Sequence, residues 1–441
     1  MDRADPVVRP VAAWRPWLLG LIFWAVLVPL SARPRHSGNV WSRYMTVESI
    51  VERGTMAVER SPLRAISGSP DLIRVGPHFY SDKPPVLSAL AAVVYAPLRA
   101  LGWRFSGSPE QFTRVNWVLV SLFAGSGSAL AVVGLRMLLQ GAALRAGISD
   151  GLALIIGLTS QLATYGVTFN NHSVAAGCLT LAVARVVLEG RAARRPGRRQ
   201  AVAGLLAGLG AVVDRPGGGA TALALAALLV WRGRVVPWGF LAGWIPPLAL
   251  HAALQMSVTG SPLPAELTPE VFHYPGSYWL TEAGRWREPG PRWQFGLEQL
   301  FGPQGWLTVT PALVFGLAGI GWLAARRGDP LRHAALAVGA TVVVLLLYYT
   351  WGVRRTDIAG QSFGTRHLLG LAPTVLAFGP IALARLRHRG AWVVFGLFVA
   401  VGGVYALAGV RDPWSRIERR DDSGLRLVKR LTLYPWSSYA R

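Results

Sequence analysis

The chain has 441 residues, of which 52% are hydrophobic, and its formal net charge is +23. Apolar runs of membrane-spanning length recur along it with few internal charges, which excludes a soluble protein of two or three domains. The single cysteine, Cys178, excludes an intrachain disulfide and a cysteine-ligated zinc site. The positive charge would indicate nucleic-acid binding in a soluble protein, but many arginines lie in short connections between apolar runs, where they report membrane topology.

The apolar runs predict an all-α fold, a polytopic transmembrane helical bundle of about eleven spans with interfacial helices in the first outer loop. The first run follows several arginines and shows no small-residue cleavage pattern after Ala32, so we interpret it as a retained span. In chain order the predicted spans are 17–32, 115–139, 151–169, 174–188, 201–213, 217–231, 236–256, 306–325, 334–349, 368–383 and 392–410.

Arginine-rich short connections between these spans fall on one side of the membrane, which the positive-inside rule assigns to the cytoplasm. This predicts a multi-pass protein of the cell's inner membrane with a cytoplasmic N-terminus. Residues 1–410 then form a transmembrane domain with outer loops 33–84 and 257–305, followed by a short basic outer tail, 411–441. The connections that define the cytoplasmic side contain Arg136 and Arg145, residues 191–199, Arg232 and Arg234, Arg326 and Arg327, and residues 385–389.

The segment 84–103 is apolar enough for a further crossing, yet a crossing there would reverse the side of the N-terminal or of all later arginines. Pro97 and Arg99 inside it suit an interfacial or re-entrant helix better. We therefore predict that both of its ends lie outside. The run 201–213 is short for a span, so it and its successor could also be re-entrant half-helices without changing the sidedness of the rest.

Residues 43–52 of the first outer loop predict an amphipathic helix that lies on the outer leaflet and stops at Gly54. The pair Gly76-Pro77 predicts a turn between short extended pieces. The loop brings two acids, Asp71 and Asp82, close to the outer membrane surface, where paired acids suit deprotonation of an acceptor or retention of a metal or amine. Alternatively, Asp82 only pairs with a neighbouring cation and Asp71 only caps a turn.

The motif Asp82-Lys83-Pro84-Pro85 stands where this loop meets the apolar segment. The chain has only two lysines, Lys83 and Lys429, among many arginines, which suggests a site that requires a compact ammonium group. A lysine that merely marks the membrane interface is the alternative.

Chemistry on the outer side needs residues from the outer ends of the spans. A phosphodiester or diphosphate leaving group requires positive charge, which Lys83 and Arg366 could supply, while the arginines could also be interfacial anchors. The aromatic residues of 272–306 could stack on sugars or belong to an interfacial aromatic belt. Polar candidates at the outer ends are Asn170, Asn171, His172, Asp214, Arg215, Trp351, Arg354, Arg355, Asp357, Arg366 and His367.

Several short motifs resemble a known family. They are Arg43-Tyr44, Gly54-Thr55 and, most specifically, Tyr80-Ser-Asp-Lys-Pro-Pro85, then Phe169-Asn-Asn-His172, Gly302-Pro-Gln-Gly-Trp306, Trp351-Gly352 and Gln361-Ser-Phe-Gly-Thr-Arg-His367. In order and topology they resemble the GT-C superfamily, polytopic glycosyltransferases that use polyprenyl-phosphate sugars and include the aminoarabinose transferases of lipid A and the protein O-mannosyltransferases.

The resemblance implies inverting transfer of a sugar from a polyprenyl-phosphate donor to a lipid, glycan or protein acceptor outside the membrane. From the residues themselves we predict Asp71 and Asp82 as catalytic carboxylates that take the acceptor's proton, and Lys83, Arg366 and Arg43 as ligands of the donor phosphate. Substrate-binding candidates are Asn39, Tyr80, His172, Asn171 and His367. No cofactor is certain, because the sequence shows no metal-ligand spacing, although the two outer acids leave room for Mg²⁺ or Mn²⁺.

The sequence departs from the family at one position. Family members carry an acid, regarded as the catalytic base, shortly before the Arg-Tyr pair, and Asn39 stands there instead. Either Asp71 or Asp82 takes over, with Asp71 favoured, or Asn39 only orients substrate, or the chain is inactive. Two other functions compete: a flippase or transporter of lipid-linked substrates, disfavoured because charges concentrate at span ends, and a noncatalytic assembly subunit.

Overall fold

The computed structural model describes residues 14–142, 144–189, 196–233, 235–281, 291–352 and 362–416. Across these ranges the chain is predominantly helical, and the only strands, β1 Leu72–Val75 and β2 His78–Ser81, pair antiparallel. The α-helices are α1 Arg15–Leu30, α2 Gly38–Arg53, α3 Pro62–Ser67, α4 Pro85–Ala100, α5 Pro109–Val120, α6 Ser126–Gly141, α7 Ala146–Leu158, α8 Gln161–Gly166, α9 Asn171–Glu189, α10 Pro196–Val213, α11 Arg215–Gly233, α12 Trp238–Thr259, α13 Arg292–Phe301, α14 Trp306–Val309, α15 Leu313–Ala325, α16 Arg332–Leu347, α17 Ala372–Leu386 and α18 Arg389–Arg411.

The helical composition agrees with the predicted class. Four helices of the described ranges are long and apolar enough to cross a membrane: α9, α18, Pro109–Gly141 and Arg332–Gly352. A fifth candidate joins Arg292–Val309 to Leu313–Ala325 through a bend of 100°. Shorter apolar helices, α1, α4, α7 and α17, account for further apolar runs. The structure is thus a helical bundle with membrane-spanning elements, and the total of about eleven spans remains a prediction.

The run 201–213 is the apolar part of a longer helix. Helix α10 begins at Pro196 and has 18 residues, which gives a length of roughly 27 Å. Helix α11 follows directly with 19 residues, and Asp214 lies at the tip between them. The helix is thus longer than its apolar run because polar residues form its first turn, and whether α10 and α11 cross or form re-entrant half-helices stays a prediction.

Helices α6 and α9 pack side by side and run parallel. Gly127 of α6 contacts the backbone of Ser173, and farther along Gly134 contacts the backbone of Leu181. A side chain at either glycine would overlap that backbone, so the glycines permit the close approach. The start of α9 is therefore level with the start of α6, and the buried Arg136, paired with Asp150, lies toward the opposite end.

The prediction that α2 lies on the leaflet surface was wrong. All residues from Ser42 to Ser49 are buried, and the helix packs against α3 and α4. Its polar side is buried because Glu48 pairs with Arg53 and Arg43 binds two asparagines, contacts that hydrophobic periodicity does not reveal. The predicted stop is confirmed, since Gly54 ends α2 with φ of 66°.

Helix α4 runs alongside α2, and Arg99 near its end pairs with Glu52 near the end of α2. The predicted turn before it is also confirmed, since Gly76 has a φ of 58° and connects β1 to β2. Both helices begin at the cavity described next. That α4 does not cross the bilayer stays a prediction.

Candidate active site

A cavity of about 520 Å³ lies where several helix ends meet. It collects the starts of α2, α9 and α11, the residues just before α4, the end of α16 and the 3-10 turn Arg366–Leu368. All of these were predicted as outer ends. The lining residues are Asn39, Arg43, Lys83, Pro84, Asn171, His172, Val213, Asp214, Arg215, Pro216, Pro264, Glu266, Leu267, Val344, Leu345, Tyr348, Tyr349, Arg366 and His367.

Lys83 lines the cavity, and its ammonium group forms ion pairs with two carboxylates. Its Nζ lies 2.8 Å from Oδ2 of Asp82 and 3.5 Å from Oδ1 of Asp71. The loop is fixed behind it, because the amide of Asp82 donates to the carbonyl of Asp71 at 3.3 Å. Asp82 is buried, and this burial raises its pKa to about 6 against the opposing effect of Lys83. Neither acid lines the cavity itself.

Arg43 is held rigidly in the first turns of α2. Its Nη1 donates to the backbone carbonyl of Asn39 at 3.0 Å and also to the Asn39 side-chain oxygen, and its Nη2 donates to Oδ1 of Asn171 at 2.8 Å. Asn171 in turn donates to the carbonyl of Val213 at 2.9 Å. Burial lowers the pKa of Arg43 to about 10, opposed chiefly by Asp82, so the group is cationic at neutral pH. Asn39 thus orients a cation.

A histidine and an aspartate form a buried pair on the adjacent wall. Nδ1 of His172 lies 2.9 Å from Oδ2 of Asp214, and both side chains are buried. The His172 ring meets the ring of His367 edge to face at 5.5 Å, and Tyr349 stacks on His367 at 5.3 Å. Burial, followed by the charge of Arg366, holds the pKa of His367 well below its ordinary value, so His367 is neutral.

Arg366 is the third cation from a separate part of the chain. Its guanidinium carbon lies 5.2 Å from the ring centre of Trp414, within the range of a cation–π contact. Trp414 is fixed by an Nε1 hydrogen bond of 2.9 Å to Thr168. The Nε of Arg366 is buried and has no hydrogen-bond partner among the residues that the structure describes. An unsatisfied buried donor of this kind suits an anionic ligand.

The remaining wall combines an ion pair with apolar surface. Arg215 donates to Glu266 at 2.7 Å. Val344 and Leu345 at the end of α16 and Leu267 supply apolar side chains. The cavity therefore has a cationic region next to an apolar one, an arrangement suited to a ligand that carries both a phosphate and a lipid.

Seven of the ten predicted site residues line this one cavity: Asn39, Arg43, Lys83, Asn171, His172, Arg366 and His367. Asp71 and Asp82 contact it only through Lys83. Tyr80 does not line the cavity; it lies on β2 opposite Ile73, and its ring meets that of His78 edge to face. The candidates Arg354, Arg355 and Asp357 lie outside the described residues.

Sequence reasoning noted Asp214 without pairing it with His172, and it missed Tyr348, Tyr349 and Glu266. The polar break Asp214-Arg215-Pro216 between two apolar runs was the available signal for the first. The tyrosines look like interfacial aromatics in sequence.

The aromatic loop that begins at residue 272 packs partly on the hairpin, where the ring of Tyr274 lies 5.3 Å from that of Phe79. In the described ranges no group of three or more His, Cys, Asp or Glu side chains is arranged to hold a metal ion.

No protein-family model and no curated protein matches this chain. Two solved structures of ArnT from Cupriavidus metallidurans are similar to it; ArnT is a GT-C glycosyltransferase. The apo structure has 17% identity and a TM-score of 0.49 over 96% of this chain and 69% of that chain. The structure bound to undecaprenyl phosphate has 15% identity and a TM-score of 0.46 over 96% and 73%. Similarity at this level does not carry the chemistry of ArnT over to this chain.

Proposed function

We propose that this protein is a membrane glycosyltransferase that moves a sugar from a polyprenyl-phosphate donor to an extracytoplasmic acceptor. The observation that carries the proposal is the single cavity in which Arg43, Lys83 and Arg366 converge beside the apolar end of α16. A sugar linked to a lipid by a phosphate offers the matching chemistry: one anionic group with an apolar chain on one side and a polar ring on the other.

The three cations differ in how their charge is balanced. Two carboxylates accompany Lys83, whereas Arg43 contacts amide and carbonyl oxygens and Arg366 faces the Trp414 ring. Arg43 and Arg366 therefore keep most of their charge for a ligand. As the bond from the sugar to the phosphate oxygen breaks, negative charge grows on that oxygen, and preorganised cations stabilise it. We infer a direct displacement by the acceptor, with inversion at the sugar carbon.

We also propose that transfer needs no divalent cation. The ammonium group of Lys83 lies between the carboxylates of Asp71 and Asp82, in the place where Mg²⁺ or Mn²⁺ would bind them. A metal there would have to displace Lys83 from both acids. The ammonium supplies a compact positive charge at the same point.

The test is release of free polyprenyl phosphate from a panel of synthetic polyprenyl-phosphate sugars by purified protein in buffer containing EDTA. Lys83→Ala and Arg366→Ala should each lower the rate on the order of 10²-fold, the usual effect of removing one preorganised donor. Arg104→Ala, on an exposed turn, serves as the control and should keep the wild-type rate. The enzyme proposal fails if wild type releases nothing from any donor, or if both cavity variants match wild type; movement of intact donor across vesicles would then indicate a transporter.

A further inference from the structure

An acceptor hydroxyl or amine must lose a proton as it attacks the sugar, and the acids predicted for this task are poorly placed. Asp71 and Asp82 both bind Lys83 and do not line the cavity. Asn39 is an amide and cannot take a proton, and its oxygen is already engaged by Arg43. Glu266 lines the cavity but is paired with Arg215 and is exposed.

Resting on the proposed function, we propose that His172 is the general base of this transfer and that Asp214 is its positioning residue. His172 lines the cavity and is buried, and its Nδ1 lies 2.9 Å from the Asp214 carboxylate. An ionised carboxylate can only accept a hydrogen bond, so the imidazole nitrogen facing it must be the donor, which keeps the proton on Nδ1 and leaves the lone pair on Nε2. A histidine oriented by a carboxylate in this way is a general base in many acyl-transfer enzymes.

The pair is built into the scaffold from two directions. His172 lies in the first turn of α9, and Asp214 lies between α10 and α11, with its carbonyl accepting the amide of Gly218 at 2.8 Å. The groups that surround the His172 ring are Asp214, Arg366, Arg43 and the neutral His367. Asp214 is thus the anion available to stabilise an imidazolium, while the arginines serve the phosphate.

The step balances without a further reactant. The acceptor oxygen or nitrogen forms a bond to the sugar carbon while its proton passes to Nε2 of His172. The bond from that carbon to the phosphate oxygen breaks, and its electron pair leaves with the polyprenyl phosphate. The imidazolium, stabilised by Asp214, then returns the proton to water. Water can replace the acceptor, in which case the same residues hydrolyse the donor.

The experiment compares His172→Gln and Asp214→Asn with wild type in donor turnover across pH, and in binding of undecaprenyl phosphate. Gln keeps a polar side chain but has no basic nitrogen, so kcat should fall about 10²- to 10⁴-fold. We expect the kcat/KM of wild type to decrease at low pH, and the residual activity of His172→Gln should not show this decrease. An Asn at 214 donates to Nδ1 and places the proton on Nε2, so a fall of similar size is expected. Affinity for undecaprenyl phosphate should stay within about threefold of wild type, because Lys83, Arg43 and Arg366 are intact.

His273→Gln, on an exposed loop, is the matched control and should behave as wild type. An active wild type with His172→Gln within about threefold of its kcat overturns the base assignment and leaves the glycosyltransferase proposal intact. Loss of turnover together with loss of undecaprenyl phosphate affinity also overturns it, since that pattern belongs to a structural or binding role. An inactive wild type, in contrast, overturns the proposed function itself.

Discussion

At the residue scale, Lys83 and its two acids show how a short motif builds a site. The turn at Gly76 closes the hairpin, which brings Asp71 next to Asp82, and Pro85 then starts α4. Lys83 projects from this junction with a carboxylate on each side. Asp71, Asp82 and Lys83 therefore contact one another, as the motif predicted. Only Lys83 lines the cavity, and the two acids hold its ammonium group in place.

Burial makes Asp82 sensitive to pH. Its pKa of about 6 in the folded protein is above the ordinary 3.8, so the folded state binds this proton more tightly than the unfolded chain. The stability gained by this is fully present below about pH 4 and is lost as the pH rises through about 6, a change on the order of 3 kcal/mol. We expect the Tm of wild type in detergent to fall relative to Asp82→Asn between about pH 4 and pH 7.

Differential scanning fluorimetry measures this difference. Glu270→Gln removes an exposed carboxylate from another loop, so its Tm should follow that of wild type at every pH. A constant difference between wild type and Asp82→Asn across this range would show that the carboxyl of Asp82 does not titrate there.

At the element scale, sequence predicted which segments are helices better than how they contact one another. Helix α10 ends at Val213 as predicted but begins at Pro196, before the predicted start at residue 201, because polar residues form its first turn. The burial of α2 was not predicted, because its charges find partners within the bundle. Asn39, Arg43 and Asn171 illustrate the same limit. Each was predicted at the outer side, but only the structure shows that Arg43 on α2 reaches Asn171 on α9 and that the two asparagines share one guanidinium.

Helix α4 carries the prediction on which the sidedness depends. It has 16 residues, contains Pro97, and begins next to Lys83. If both of its ends are outside, a cysteine at Ser106, on the exposed segment after it, should react with a membrane-impermeant maleimide added to intact cells. The experiment uses a Cys178→Ala background. Arg327→Cys, on a connection predicted to be cytoplasmic, should react only after the membrane is opened.

Seven predicted spans separate these two positions, so they should lie on opposite sides whether or not α4 crosses. Labelling of position 327 but not 106 in intact cells would mean either that α4 crosses the bilayer from an outer start or that the whole assignment is inverted. Protection of both positions, with labelling after permeabilisation, would mean that the number of spans between them is not seven. Either result would require a new topology for the segments around the cavity.

At the scale of the whole molecule, the cavity depends on contacts between distant parts of the chain. The amide of Phe363 donates to the carbonyl of Pro413 at 2.9 Å, so the segment after α18 returns to the turn that carries Arg366. Trp414 from this segment also binds Thr168, just before α9. One aromatic residue thus connects the Arg366 turn to the helix that carries His172. Sequence gave no indication of this role, because a tryptophan near the end of a span is ordinarily an interfacial anchor.

Trp414→Ala should therefore weaken phosphate binding without removing a phosphate ligand. The cation–π contact and the Thr168 hydrogen bond both disappear, which frees the Arg366 side chain and should lower undecaprenyl phosphate affinity about tenfold. Trp414→Phe keeps an aromatic face but loses the Nε1 donor, so its affinity should lie between those of wild type and Trp414→Ala. Trp238→Ala removes a tryptophan that is 73% exposed and should bind as wild type does. Equal affinities for Trp414→Ala and wild type in a titration with this lipid would show that Arg366 is positioned independently of the segment after α18.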